Sequence, residues 1–115
     1  MKRDPGLYLD DILQSIKAIE NYTQGVSQEQ LDTNQLLQDA VVRRLEIIGE
    51  AANHLPKELT DRYPKIPWRR ITGMRNMITH KYFGILVERV WEVIDRDLPT
   101  LKASIVRMMA ELAEP

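Results

Sequence analysis

The sequence of 115 residues predicts an all-α fold, an antiparallel bundle of four to five helices. Apolar residues recur at three- and four-residue spacings over most of the chain, the pattern of helices with one buried face. No stretch alternates apolar and polar residues for long enough to predict a strand. Prolines and glycines separate the apolar runs, which favours helices joined by short loops. The length is that of a single domain, residues 1–115.

The first helix is predicted to begin after Asp4, a favourable N-cap, with Pro5 in its first turn. Gly25 supplies the signal that stops it. Between them the apolar residues fall at helical spacing: Leu9, Ile12, Leu13, Ile16 and Ile19. These residues predict an amphipathic helix with a buried stripe.

Two capping signals follow. Ser27 with Gln30 resembles a capping box and predicts a short turn of helix, and Asp32 with Gln35 repeats the signal before a longer helix. The buried stripe of that longer helix is predicted to contain Leu37, Ala40, Val41, Leu45, Ile48, Ala51 and Ala52. Pro56 should end it, and the three prolines of residues 55–67 predict a connector with at most one helical turn.

Pro67 is placed to start a third main helix that runs through Trp68, Ile71, Met74 and Ile78. Gly84 is predicted to break the chain's helical run, so the last helix should begin at about Ile85. Pro99 should kink or restart that helix. Its apolar residues are Val87, Val90, Trp91 and Ile94 before the proline, and Leu101, Ile105, Met108 and Leu112 after it.

Composition excludes several classes of protein. The chain has no cysteine, so disulfides, thiolate metal sites and cysteine nucleophiles are excluded. No apolar run approaches the roughly 20 residues that a membrane span requires. The first residues turn acidic before any apolar block, unlike a secretory signal. We therefore expect a cytoplasmic protein with no membrane, metal or cofactor requirement.

Positive charge is concentrated in one window. The chain carries a formal net charge of −1, but residues 62–87 contain no Asp or Glu. The basic residues of this window are Arg62, Lys65, Arg69, Arg70, Arg75 and Lys81. One of the chain's two histidines, His80, lies among them. Such a local positive field around a histidine predicts a site for an anion.

The chemistry available to Arg75 and His80 suits RNA cleavage. Histidine titrates near neutral pH without assistance, which makes His80 the candidate acid and base. Arg75 could stabilise a phosphoryl group through paired hydrogen bonds. In RNA the neighbouring 2′-hydroxyl is the nucleophile, so a protein needs only to move protons and stabilise the phosphorane. DNA lacks that hydroxyl and should not be cut.

One straight helix could not aim both side chains at one atom. At about 100° per residue, His80 points about 140° away from Arg75, whereas Tyr82 returns to within about 20° of it. Either the helix ends near Thr79 and the chain turns, or a second copy of the chain completes the site. A symmetric homodimer would provide that second copy.

The sequence resembles a known family. Arg75-x4-His80-x-Tyr82 is similar to the RX4–6H motif of the HEPN superfamily, in the RX4HXY form of its HepT-like branch. The runs RRLEIIGEAANHLP at residues 43–56, YPKIPWRRITGMRN at 63–76 and VWEVIDRDLP at 90–99 also look like that family. One departure is Lys81, where a smaller residue such as glycine is more usual.

The resemblance implies a metal-independent RNase toxin built as a helical homodimer, in which the motifs of two subunits face each other. It assigns catalysis to Arg75 and His80, with Asn76 at the polar position after the arginine. It also implies a partner, a minimal nucleotidyltransferase antitoxin of the MntA type, which transfers AMP to the motif tyrosine, here Tyr82. An adenylate there would block RNA by bulk and negative charge.

Structural interpretations compete with these roles. His80 could be a surface or capping histidine, Tyr82 a packed tyrosine, and Arg75 the ion-pair partner of Glu46 or Glu50. Arg69, Arg70 and Lys81 are candidates for RNA binding, although Arg69 and Arg70 could be an ordinary solvated pair. We expect the two tryptophans in the core or an interface, and no metal site at His54. The alternative function is a non-catalytic subunit that binds a nucleotide or a nucleotidyltransferase, which the near-neutral charge favours.

Overall fold

A computed structural model describes residues 3–76 and 86–114 of the chain. All regular structure in these ranges is helical, which confirms the predicted fold class. The α-helices, numbered in chain order, are α1 (Pro5–Thr23), α2 (Gln28–Asp32), α3 (Gln35–Asn53), α4 (Lys57–Thr60), α5 (Trp68–Gly73), α6 (Leu86–Glu92) and α7 (Leu98–Ala113). Within the described ranges, no helix is both long enough and apolar enough to cross a bilayer.

The predicted boundaries of α1 are confirmed. The Asp4 carboxylate accepts a hydrogen bond of 2.8 Å from the backbone nitrogen of Gly6, and Pro5 is the first helical residue. After the helix, Gly25 has a φ of 72°, in the left-handed region that glycine adopts without steric cost. Local sequence therefore sets both ends of α1.

Of the two predicted capping signals, the first is confirmed and the second is wrong. The Ser27 hydroxyl accepts a hydrogen bond from the backbone nitrogen of Gln30. The side-chain oxygen of Gln30 in turn accepts one from the backbone nitrogen of Ser27. Asp32 does not cap the next helix, because it forms the last residue of α2. Asn34 caps α3 instead, with its side-chain oxygen 3.0 Å from the backbone nitrogen of Leu37. The extended backbone of Asn34 makes this bond possible.

The proline-rich connector contains one helical turn, α4, as predicted. The third main helix is shorter than predicted. Its α-helical part ends at Gly73, and residues 74–76 form a tighter 3₁₀ turn. The expected continuation through Ile78, the breaker Gly84 and the start near Ile85 lie outside the described residues. The single α-helical wheel assumed for the motif therefore does not apply to residues 74–76.

A wide turn precedes Pro99. Residues Val93–Asp97 are π-helical, and the backbone nitrogen of Leu98 donates to the carbonyl of Val93, five residues earlier. Proline has no N–H to donate, and its ring would clash with the carbonyl four residues earlier in a regular helix. The wide turn accommodates Pro99 and lets α7 continue. The expected kink or restart is therefore observed as a π-helical segment.

The core lies where α1 packs against α3 and α7, with α5 packed on α3. Most residues of the predicted stripes are buried, including Ile12, Leu45 and Ile105. Leu112 is an error of the prediction, because it is 41% exposed near the end of α7. Ala40 is only half-buried, near the start of α3. Trp68 and Trp91 are partly buried and pack against the core.

Candidate functional site

Arg75 and Asn76 lie on the 3₁₀ turn that follows α5. Trp68 fixes the start of α5, because its ring nitrogen lies 3.2 Å from the carbonyl oxygens of both Thr60 and Tyr63. At the other end of the helix, Ile71 and Met74 are buried. These anchors hold the turn against the bundle and leave Asn76 at the surface, with the Arg75 side chain 39% exposed.

The turn rests directly on α3 at Gly49. A Cβ atom added to Gly49 would press into the backbone nitrogen of Arg75 and lie 3.0 Å from the carbonyl oxygen of Thr72. It would also lie 3.1 Å from the Cα atom of Arg75. The contact with the Arg75 nitrogen is shorter than Cβ atoms make, so the approach of α3 to the turn requires glycine. Gly49 thus sets the position of the Arg75 backbone.

The next residue of α3 contacts the Arg75 side chain. One carboxylate oxygen of Glu50 lies 3.7 Å from a terminal nitrogen of Arg75. Both side chains are partly exposed, 39% for Arg75 and 55% for Glu50, so the pair is solvent-screened and contributes at most about 1 kcal/mol to stability. It orients the guanidinium without locking it. Of the two predicted partners of Arg75, Glu50 makes the contact.

A row of side chains leads away from Glu50. Its other carboxylate oxygen lies 3.2 Å from the Nε2 atom of His54, one turn along α3. The His54 ring stacks on Tyr8 of α1, with ring centroids 5.2 Å apart and planes 11° apart. The Arg3 guanidinium covers the same tyrosine, 4.8 Å from its ring centroid. His54 therefore links α1 to α3 beside Arg75.

A shallow groove of about 300 Å³ adjoins the turn on its other side. Gly73 and Met74 form one wall, and Arg69, Arg70 and Arg89 contribute positive charge. Arg70 is already engaged, since one of its terminal nitrogens donates to both carboxylate oxygens of Asp97, at 3.0 and 2.8 Å. Arg69 and Arg89 are exposed and form no ion pair among the described residues. Arg69 and Arg89 thus lie beside the motif turn in a groove that the carboxylates of Glu92 and Asp97 also line.

The remaining predicted site residues, His80, Lys81 and Tyr82, lie outside the described residues. The distance between Arg75 and His80, and the roles assigned to both, stay predictions. The arginines of the groove beside the turn agree with a site for an anion, and Arg75 itself forms its ion pair in the described ranges with Glu50.

Two residues of this region were not identified from the sequence. Gly49 carries a signal, since glycine inside a helix costs about 1 kcal/mol relative to alanine and such a position often has a packing reason. Arg89 lies just outside the acid-free window, after Glu88. In the structure it lines the same groove as Arg69 and Arg70 of α5.

Comparison with known proteins identifies the family. Residues 12–108 match the family model described as ribonuclease HepT-like. A Methanocaldococcus jannaschii protein named "Gamma-glutamylcyclotransferase and putative RNase" is 45% identical over 112 residues, 97% of this chain and 50% of that protein. The chain thus spans half the length of that relative.

Other relatives match over nearly their whole length. A Thermococcus cleftensis protein named "Probable ribonuclease HepT" is 38% identical over 94% of this chain and 98% of its own length. A Caldanaerobacter subterraneus protein named "Putative RNase" is 37% identical over 93% of this chain and 96% of its own length. No solved structure matches the chain. The family match and these relatives show that the chain belongs to the HepT-like ribonuclease family.

Proposed function

We propose that this chain is a metal-independent endoribonuclease that works as a homodimer and acts as the toxin of a toxin–antitoxin pair. The observation that supports it best is the placement of Arg75. This chain belongs to a ribonuclease family, and its motif arginine is partly exposed on a turn that packs directly against α3. Arg69 and Arg89 flank the same turn and supply charge for an RNA backbone.

The proposed reaction uses the RNA's own nucleophile. A base removes the proton of the 2′-hydroxyl, the 2′-oxygen attacks phosphorus, and the 5′-oxygen leaves with a proton. The products are a 2′,3′-cyclic phosphate and a 5′-hydroxyl. His80 is assigned the proton transfers, and Arg75 stabilises the negative charge that develops on the phosphorane. Asn76 is assigned a polar contact to the same phosphate.

Glu50 fits this mechanism as an orienting group. Its carboxylate keeps the Arg75 guanidinium near the turn. The ion pair is weak, because its charged atoms are 3.7 Å apart and both side chains are partly exposed to solvent. A phosphodiester offers the guanidinium two oxygens at once, which favours paired hydrogen bonds. Arg75 can therefore exchange its carboxylate partner for the phosphate at small cost.

The homodimer is proposed on the strength of the family resemblance. The resemblance implies that the motifs of two subunits face each other, and a twofold axis near the turn would bring two Arg75 side chains to one cleft. RNA would then contact both subunits.

The function is tested by incubating the purified protein with total RNA in the presence of EDTA. We expect cleavage, with 2′,3′-cyclic phosphate ends, and no cleavage of single-stranded DNA of the same sequence. Cleavage that requires a divalent cation, or equal cleavage of DNA, would contradict the proposed mechanism. Sequencing the ends of the fragments identifies which phosphodiesters are cut.

We further propose that a nucleotidyltransferase of the MntA type controls the enzyme by modifying Tyr82. The tyrosine hydroxyl would attack the α-phosphorus of ATP, forming a Tyr–O–P bond and releasing pyrophosphate. The adenylate adds a negative charge beside basic residues, so it repels RNA and fills the site.

Co-expression with such a partner should increase the intact mass of the protein by one or more adenylate units and suppress RNA cleavage. The Tyr82→Phe variant should remain unmodified and resist suppression. Adducts that persist in Tyr82→Phe would place the acceptor elsewhere.

The alternative function is a non-catalytic subunit that binds a nucleotide or a nucleotidyltransferase. The net charge of −1 favours it, because many RNA-binding domains are strongly basic. The two functions differ in one result: a binding subunit forms a complex with the transferase but leaves RNA intact even when its mass shows no adenylate.

A further inference from the structure

A second cavity lies away from the motif turn. It has a volume of about 820 Å³, within the range of roughly 300–1,000 Å³ typical of ligand pockets. The connection from α4 to α5 forms one wall, and the π-helical segment with α7 forms the other. Neither Arg75 nor Asn76 lines it. We call this cavity the α7 groove, and it is separate from the site described above.

Positive charge dominates the rim of the α7 groove. Arg62, Lys65, Arg96 and Arg107 line it, against the two carboxylates of Asp97 and Glu111. Each carboxylate is already engaged: Asp97 accepts from Arg70, and Glu111 accepts from the hydroxyl of Tyr63. The hydrogen bond to Glu111 raises the pKa of Tyr63, so this phenol stays protonated.

Three of the four basic residues on the rim have no carboxylate partner in the described part of the chain. Within the described ranges Arg62, Lys65 and Arg107 form no ion pair, and Arg96 reaches Glu92 only at 4.0 Å. All four side chains are exposed. The groove therefore offers several charges to an anion without first breaking strong internal pairs.

The floor of the groove is apolar, unlike its rim. Ile66, Ile71 and Leu101 are at most 8% exposed and close the bottom, and the Tyr63 ring stands at the side. Thr100 and Ser104, one turn apart on α7, add two hydroxyl groups between floor and rim. A simple anion would use only the rim. A ligand with a flat apolar part, polar edges and a negative charge would contact the apolar floor, the two hydroxyl groups and the charged rim together.

A nucleotide has this combination, and an unpaired nucleotide presents its base freely. We propose that the α7 groove binds one unpaired nucleotide of the RNA substrate, outside the phosphodiester that is cut. The phosphate lies at the arginine rim, the base covers the apolar floor, and Thr100 and Ser104 contact its polar edge. The inference rests on the proposed ribonuclease function and extends it to a preference for single-stranded RNA.

The test measures binding independently of cleavage. A fluorescein-labelled single-stranded oligonucleotide with 2′-O-methyl riboses lacks the nucleophile, so the full-length protein cannot cut it by the proposed mechanism. Anisotropy titrations at several salt concentrations give the affinity and its salt dependence. Ordinary RNA, assayed in parallel, reports cleavage.

Two pairs of variants isolate the groove. Arg107→Gln removes one rim charge, and we expect about fivefold weaker binding at 0.1 M salt, with the slope of log K against log salt reduced by about 0.7. Its control, Lys17→Gln, removes an exposed charge from α1 and should change neither. Ser104→Glu places a carboxylate in the groove and should also weaken binding. Its control, Ala103→Glu, adds the same charge at an exposed position one residue earlier.

The outcomes separate this inference from the proposed function. If Arg107→Gln and Ser104→Glu bind like their controls while wild type cuts RNA, the α7 groove is not an RNA subsite but the ribonuclease stands. If wild type neither binds nor cuts, both fail. If a polyglutamate peptide of equal charge displaces the oligonucleotide equally well, the apolar floor does not recognise bases, and the nucleotide assignment is wrong. Thermal melts of every variant confirm that the fold is intact.

Discussion

Replacing Arg75 by alanine should lower the rate constant of RNA cleavage by about 100- to 1,000-fold, the usual effect of removing one group that stabilises a developing oxyanion. Replacing His80 should cost about 100- to 10,000-fold, the usual contribution of a general acid or base. The Arg75 side chain supports little of the fold, because its pair with Glu50 is solvent-screened. The loss should therefore appear in the rate and leave the melting temperature nearly unchanged.

The Glu50→Gln variant is the matched control for Arg75. It removes the carboxylate that orients the guanidinium but leaves the guanidinium in place, so cleavage should fall by less than tenfold. Arg75→Lys keeps the charge but loses the paired hydrogen bonds, and its rate should lie between those of wild type and Arg75→Ala. An Arg75→Ala enzyme that cleaves at the wild-type rate would remove this residue from the mechanism.

Replacing Gly49 by alanine should reduce activity although Gly49 touches no substrate. The added methyl group would collide with the Arg75 backbone, so either α3 or the turn must move. Overpacking of this kind costs about 1–3 kcal/mol of unfolding free energy. A displacement of about 1 Å at a catalytic group can cost about 100-fold in rate. Urea unfolding and single-turnover cleavage measure the two effects separately.

Two controls separate displacement from simple destabilisation. Ile48→Val thins the core at the neighbouring position of α3 and should cost about 0.5–1.5 kcal/mol while the cleavage rate of the folded protein is kept. At Gly73 an added Cβ meets nothing within 4 Å, so Gly73→Ala should leave stability unchanged or raise it. If Gly49→Ala loses no more activity than Ile48→Val, the close approach does not position Arg75.

Local sequence was sufficient to predict much of the fold. The ends of α1 and the start of α2 depend on side chains within three residues of the boundary, and those were assigned correctly. The start of α3 was predicted wrongly because both Asp32 and Asn34 are residue types that cap helices. Which of them caps α3 depends on where α2 ends, and α2 extends through Asp32. The end of α5 was missed because it depends on packing against α3, which the sequence of α5 does not contain.

The candidate site shows the same division. The sequence predicted Glu46 or Glu50 as the ion-pair partner of Arg75, and Glu50 makes the contact. The importance of Gly49 could not be derived, because its contact lies 26 positions away along the chain, between Gly49 and Arg75. The α7 groove likewise joins residues of the 62–67 connection to residues of α7, which are remote in sequence.

The π-helical segment also explains the spacing of buried residues in the last helix. Buried positions step from Val90 to Val93 and then jump five residues to Leu98, before the ordinary spacing resumes through Leu101 and Ile105. In an uninterrupted α-helix the buried stripe would continue from Val93 at Asp97, four residues later. Leu98 would then lie about 100° further around the helix. The segment thus acts as a one-residue insertion in the helix, which keeps Leu98 on the buried stripe. Alignments of relatives should place a single-residue gap within Val93–Asp97 wherever Pro99 is replaced by a residue that a regular helix tolerates.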